Sequence, residues 1–347
     1  MYPMKPGKYA RFKHGYGIEE KIFLENKAGY LKFYPDNKDK IKYLCPNKNY
    51  KFNLAYTYFL AETYTLLPFL ERNKIPFVFV LYPGGGFGLN NKSSDKMLKE
   101  IFESKYFRKV ITTQKATLDY LLRKNLCIKE RIEHIFGGYS QFEKDEIPQK
   151  KYYKKDKDTF DICFVGAKYS PKGVDKGYDL FIETAKYLSK KYDDIKFHVV
   201  GGFNEEDIYA PSLMNRIIYY GYRQPDWLKD FYPMMDICLS PSRSNILYKG
   251  NFDGYPMGFE QSLFEVAMFC TDEVGNNDNF YIDGTDIVII KPKSRDIINK
   301  IDFYYNNFEK LKDLSIRGKI KNKKTFDNEI RLDKVTKILE TEAKIIG

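Results

Sequence analysis

At 347 residues, 43% apolar and 30% charged, the chain is long enough for two domains and has the composition of a folded protein, not a disordered one. Its net charge of +11 is uneven: residues 1–155 hold 30 Lys and Arg against 16 Asp and Glu, whereas 156–347 hold 28 against 31. A basic half expects an anionic neighbour, such as a membrane surface or a phospholipid-linked substrate. Charge alone, with no helix or aromatic platform motif beside it, is a poor case for nucleic acid.

The five cysteines are scattered and lack any C-x-x-C spacing, which argues against a disulfide framework and, with only three histidines, against zinc. Met1 to Lys13 is basic and polar, unlike a secretory signal. The longest apolar segment, Leu54 to Leu70, contains Glu62 and is too polar to span a bilayer. The expectation is a cytoplasmic protein, peripheral at most on the inner membrane face.

In chain order, Lys21–Leu24 and Tyr30–Tyr34 are short strand-like pieces, and Phe52 to Arg72 has helical apolar spacing. Pro76 to Tyr82 is a continuous apolar run, as in a strand buried on both faces, and it breaks into Gly84-Gly85-Gly86-Phe87-Gly88. These glycines are expected to form a flexible cleft wall that contacts a ligand. A helix capped by Ser93 or Ser94 follows, then a strand at Lys109–Thr113, a helix at Leu118–Lys124 and a strand at Ile132–Phe136.

The charged stretch Gln141–Asp158 reads as the linker, with Asp156-Lys157-Asp158 as solvated charge rather than a metal-binding Asp-x-Asp. Beyond it the rhythm is regular. Strands are expected at Phe160–Val165, Ile195–Val200, Ile217–Tyr220, Ile237–Ser240, Val266–Cys270 and Ile287–Ile290, alternating with helices. Such alternation means βαβ units and parallel sheets, hence an α/β protein of two Rossmann-like halves facing a cleft. The division is a first domain in residues 1–150, a second in 151–325, and a C-terminal helix in 326–347 that could pack back toward the first domain.

Chemistry gathers at the strand ends. Gly166 closes the first carboxy-terminal strand, and Lys168, Lys172 and Lys176-Gly177 precede a helix. Glycine lets a ligand approach the backbone, and a helix amino terminus with lysines suits phosphate. A second cluster lies in Phe252–Asp272, FDGYPMGFEQSLFEVAMFCTD, with acids at Asp253, Glu260 and Glu265, the last expected to face solvent.

The ordered series FDICFVGAKYSPKGVDKGYDLFIETAKYL, KFHVVGG, IIYYGY, DICLSPSRS and FDGYPMGFEQSLFEVAMFCTD resembles the carboxy-terminal domain of retaining glycosyltransferases of the GT-B fold, family four. PFVFVLYPGGGFG, KVITTQKATLDYL and HIFGGYSQ fall where that fold has its later amino-domain strands. The resemblance implies sugar transfer from a nucleoside diphosphate sugar, UDP- or GDP-linked, to a glycan or lipid-linked glycan, with no metal. In that family an Arg and a Lys hold the diphosphate. Lys176 matches the Lys, while Ala167 stands at the Arg position and leaves Lys168 or Lys172 to supply the charge. The family's pair of glutamates falls on Asp253 and on Glu260 or Gln261, as sugar and ribose contacts; Glu260 is preferred because an amide NH2 cannot accept a hydroxyl. The resemblance further puts Gly221, Tyr222 and Arg223 at the base, and Gly254, Tyr255, Pro256, Met257 and Gly258 over the sugar. His14 is a candidate cleft residue. A non-catalytic nucleotide-sugar or glycan-binding protein on the same fold is the rival reading.

Overall fold

A computed structural model describes residues 20–32, 34–45, 48–142, 147–252, 259–275 and 280–344. The first expectation to change is the amino end. Glu20–Leu31 is a helix, α1, and not a pair of strand pieces; it is built largely of Glu, Lys, Leu and Ala, which favour helix, and buries no residue. The segment expected as one helix to Arg72 divides into a strand, β1 (Ala55–Tyr58), and a helix, α2 (Leu60–Arg72), joined at Phe59 with φ 62°. The alternating Ala-Tyr-Thr-Tyr suits a pleated strand, and it pairs in parallel with Phe77–Val80.

The rest of the amino-terminal domain runs β2 (Phe77–Leu81), α3 (Lys92–Glu103), β3 (Phe107–Thr112), α4 (Lys115–Arg123) and β4 (Ile132–His134). Its parallel sheet has the sequential order β1-β2-β3-β4. Strand β2 is buried throughout, as its continuous apolar run requires. Phe77, Phe79 and Leu81 join Leu60, Leu67 and Leu70 of α2 in one core. Val78 and Val80 point to the other side, where they meet Val335. Asn91, not a serine, caps α3 by accepting from the Ser93 and Ser94 backbone N–H groups.

The carboxy-terminal domain runs β5 (Phe160–Gly166), α5 (Tyr178–Lys191), β6 (Ile195–Gly201), β7 (Ile217–Gly221), α6 (Pro225–Phe231), β8 (Ile237–Ser240), α7 (Phe259–Leu263), β9 (Ala267–Thr271) and β10 (Val288–Ile290). The six parallel strands are ordered β10-β9-β8-β5-β6-β7, so the direction of winding reverses between β8 and β5. Open α/β sheets bind ligands at the carboxyl ends of the strands beside that reversal. Helices α8 (Ser294–Asn306) and α9 (Phe308–Thr325) cover one face, with Ile297, Ile301, Leu311 and Leu314 in the core. Helix α10 (Asn328–Lys344) then leaves this domain and lays Val335 on the amino-terminal sheet. Arg331 donates to the carbonyls of Ile135 and Phe136, and Asn328 exchanges hydrogen bonds with the Ser140 backbone.

At the amino ends of β5 and β8 lies a buried ionic cluster. Lys157 was expected in solvent, yet its side chain is only 6% exposed and its ammonium sits 2.5 Å from both the Asp161 and Asp236 carboxylates. The reason is neighbouring strands: β5 pairs with β8, which brings two buried acids together and demands a cation between them. His198 on β6 adds a hydrogen bond to Asp161 at 2.7 Å. Burial alone would raise the Asp161 carboxyl, but His198 and Lys157 outweigh it and hold it at about 2. Burial dominates at Asp236 and leaves its pKa raised.

Candidate active site

The loop between β5 and α5 is built by two glycines. Gly166 ends the strand, and a Cβ built there would lie 4.0 Å from Cγ of Lys176, so that lysine runs alongside the strand end. Gly177 holds φ 72°, and a Cβ on it would come within 2.1 Å of the Pro241 carbonyl oxygen. Only glycine lets the loop close against the end of β8 across the sheet's reversal point. Arg243 secures the same junction: its backbone N–H donates to the Asp175 carbonyl, and its guanidinium bonds the Val174 carbonyl and pairs with Asp179. Asp175 is fully buried beneath the loop, with one carboxylate oxygen accepting from Ser170 and the other without a partner. The sequence pointed to the lysines and missed Arg243 and Asp175; the Pro-Ser-Arg that follows β8 was the available signal.

The lysines divide. Lys176 is half-buried at the loop's base, its ammonium 5.4 Å from the centre of the Tyr169 ring. Lys168 turns away and pairs with Asp207 beyond β6. Lys172 is exposed, on a short turn with φ 57°. Lys176 is thus the lysine beside Gly166.

On the far side of the crevice Gly221 ends β7 with φ 66° and open space around it. Tyr222 is 51% exposed, and its hydroxyl lies close enough to Gly202 that a Cβ there would be 2.6 Å away. The Arg223 guanidinium covers the Trp227 ring at 5.2 Å.

Asp253, Gly254, Tyr255, Pro256, Met257 and Gly258 lie outside the described residues, as does His14. Helix α7 follows them and separates the two candidate ribose contacts. Glu260 accepts from the backbone N–H of Gln141 at 2.6 Å and from its side-chain amide at 3.2 Å. Burial raises its pKa, with the Gln141 bonds opposing. Gln261 turns inward: its amide donates to Tyr232 at 3.1 Å, and its carbonyl oxygen is buried without a partner. Glu265 does not face open solvent as expected. With φ 59° it points to Lys319, at 2.6 Å, and to the Tyr152 hydroxyl, and these partners hold its carboxyl below the ordinary range against the effect of burial.

The glycine-rich loop after β2 is a hydrogen-bonded turn. Phe87 N–H donates to the Gly84 carbonyl and Ala61 N–H to that of Gly85. A Cβ on Gly85 would come within 2.6 Å of Phe59. The residues beyond the turn clasp the opposite domain. Leu89 N–H donates to the Gly250 carbonyl at 2.8 Å, the Asn91 side chain to that of Lys249 at 2.8 Å, and the Tyr248 hydroxyl to that of Phe87 at 2.9 Å. The Phe87 and Phe252 rings meet edge to face at 5.6 Å. Residues 248–252 lead straight into Asp253, so the clasp fixes where the proposed sugar loop begins.

Gly250 is the pivot, with φ 88° and room for a Cβ only 2.1 Å from the Leu89 carbonyl oxygen. Gly250→Ala should cost about 1–2 kcal/mol of backbone strain and break the clasp. The expected result is a larger radius of gyration in X-ray scattering. Gly284→Ala is the control, because it imposes the same strain at φ 73° with its nearest neighbour 3.9 Å away. Equal radii for the two variants would refute the clasp.

Residues 159–307 match the family described as Glycosyl transferases group 1. A search of curated protein sequences gives no match. Among solved structures, sucrose-phosphate synthase from Thermosynechococcus elongatus is similar over 94% of this chain and 81% of its own, at 15% identity and a TM-score of 0.63. A glycosyltransferase from Rickettsia africae gives 94% and 82%, at 15% identity and 0.62. Anabaena HepE, in complex with UDP and glucose, gives 85% and 78%, at 15% identity and 0.61. The carboxy-terminal domain thus carries the match to the group 1 glycosyl transferases, and the chain as a whole has their GT-B fold of two Rossmann-like domains.

Proposed function

We propose that the chain is a retaining glycosyltransferase moving a sugar from a UDP- or GDP-sugar to a hydroxyl of a glycan or lipid-linked glycan, in bacterial surface polysaccharide synthesis. The observation that carries the reading is the junction at the sheet's reversal point, where Gly177 closes on Pro241 and sets Lys176 beside Gly166. HepE, of the same fold, holds UDP and glucose, and Staphylococcus aureus TarM has been crystallised with UDP and alpha-GlcNAc-glycerol.

In this reading the diphosphate lies against Gly166 and the amino end of α5, and Lys176 meets the charge that grows on it as the glycosidic bond breaks. Stabilising a leaving group in this way is the largest single contribution such a site can make. Tyr222 and Arg223 border the base, and Glu260 accepts the ribose hydroxyls. Ribose then replaces Gln141 on the carboxylate, which couples donor binding to the segment between the domains. The acceptor hydroxyl attacks from the face the leaving group vacates, helped by the departing phosphate. A divalent metal has no required part, since the lysine and the helix end carry the positive charge.

Thermal denaturation with UDP, GDP, ADP and CDP tests the donor site. A ligand at about 100 times its dissociation constant adds about 2.7 kcal/mol. One of the four should raise the melting temperature, and Glu260→Ala should reduce that shift. No shift with any of them would sink the reading. One observation favours a non-catalytic binder instead: Ala167 replaces the expected Arg, and Lys168 is held by Asp207. A nucleotide that binds while its sugar conjugates are neither transferred nor hydrolysed would decide for that alternative.

A further inference from the structure

The carboxyl edge of the amino-terminal sheet carries a cluster of aromatic rings that the donor reading leaves unused. Tyr58 ends β1 and Phe59 follows it, Tyr82 follows β2, and Tyr139 lies beyond β4. The Tyr58 and Tyr82 rings are nearly parallel, at 12°, with centres 6.2 Å apart, and Phe59 meets Tyr82 at 5.5 Å. Tyr58 and Phe59 are 38% and 37% exposed, so these two rings are offered to solvent, while Tyr82 is half-buried against the core around Val78 and Val80. Arg331 of α10 backs the cluster. It is 6% exposed, lies 5.1 Å from the centre of the Tyr139 ring and acts on the hydroxyls of both Tyr82 and Tyr139. Its Nε is buried and has no partner.

Two chain segments place this cluster at the cleft. Phe59 packs on Gly85, whose loop continues into the clasp with residues 248–252. Tyr139 leads within two residues to Gln141, which bonds Glu260. The rings therefore lie between two points where the amino-terminal domain touches the donor-side loops.

Resting on the glycosyltransferase reading, we propose that Tyr58, Phe59, Tyr82, Tyr139 and Arg331 form the acceptor subsite, and that it takes an uncharged pyranose ring of a glycan. The faces of aromatic rings are electron-rich and attract the slightly positive C–H groups on one face of a pyranose. Tyrosine hydroxyls both donate and accept, as the rim of hydroxyls on a sugar requires. The Tyr82 and Tyr139 hydroxyls are protonated donors at neutral pH, as any phenol is, and burial pushes them further in that direction. The cation of the cluster is buried, which disfavours a phosphate or lipid headgroup in the same place.

Saturation-transfer NMR on the full chain tests this with maltotriose, cellotriose, chitotriose and mannotriose as probes, and with UDP and GDP titrated into the same samples. At least one trisaccharide should bind. Tyr58→Ala and Tyr82→Ala should each weaken it about tenfold, the upper range of one aromatic contact, without changing nucleotide affinity. Tyr209→Ala, at a ring 80% exposed elsewhere, should change neither. Failure of every trisaccharide to bind, or binding that survives both substitutions, overturns the subsite. So does binding of phosphatidylglycerol vesicles that those substitutions abolish. If nucleotide binding persists in such a case, only the acceptor assignment has failed; if the wild-type chain binds neither nucleotide, the donor reading fails first.

Discussion

Lys157→Met is expected to destabilise the folded protein by about 3–5 kcal/mol at pH 7.5, the scale for removing one partner of a buried ion pair. The lysine bridges Asp161 and Asp236, which begin adjacent regions of the sheet and are nearly inaccessible to water. Methionine fills similar volume, so packing survives while two carboxylates are left facing one another. The pH dependence identifies the cause. In the wild-type chain the low pKa of Asp161 adds stability that is present above the ordinary 3.8 and lost as pH falls through about 2. The raised pKa of Asp236 works the other way. Without Lys157 both carboxylates lose a cation; Asp161 keeps its bond to His198, while Asp236, already raised by burial, is left with Lys150 as its remaining cation, so the variant's folded state binds more protons than the wild type's and its deficit shrinks as pH falls. Urea denaturation at pH 7.5 and 4.5 should therefore show a deficit that shrinks on acidification. A deficit under 1 kcal/mol at pH 7.5, or the same deficit at both pH values, would show that the bridge does not matter.

Lys157 also marks the limit of what the sequence could say. Asp-Lys-Asp in a charged linker reads as solvated because nothing local reveals Asp236, 79 residues away. Glu265 was misread for the same reason, since Lys319 lies 54 residues on. The carboxy-terminal strands were legible because strands inside a parallel sheet are rich in apolar residues, and five of the six end in a glycine or a small polar residue, β10 alone running into Lys291. Strand β1 was hidden because its four residues share an apolar spacing with the helix that follows, and only the left-handed Phe59 separates them. The loop between β5 and α5 was visible in Gly166 and Lys176-Gly177. What holds it shut was not, because Pro241 and Arg243 come from a strand end far along the chain. The clasp between Phe87–Asn91 and Tyr248–Gly250 joins residues 161 apart, which local pattern cannot show.

Lys176→Ala is expected to lower kcat for sugar transfer by about 10²–10³, the effect of removing one donor aimed at charge that develops in a transition state. Among the loop lysines Lys168 is paired with Asp207 and Lys172 points to solvent, which leaves Lys176 beside Gly166 and under the amino end of α5. A charge-assisted hydrogen bond to a diphosphate contributes about 1.5–3 kcal/mol, and it strengthens as the sugar departs and the phosphate gains charge. Because the gain comes late, kcat should fall more than KM for the donor rises. Lys176→Arg should recover part of the rate, since the charge remains while the point contact becomes a planar fork. Lys190→Ala, at the exposed far end of the same helix, controls for a general loss of positive charge. The lysine is half-buried and its loop is held by Gly177 and Arg243, so the melting temperature should change little. Steady-state kinetics with the nucleotide sugar found by thermal shift decides the matter. A kcat within threefold of the wild type would remove Lys176 from the site and leave the exposed Lys172 as the candidate for the diphosphate.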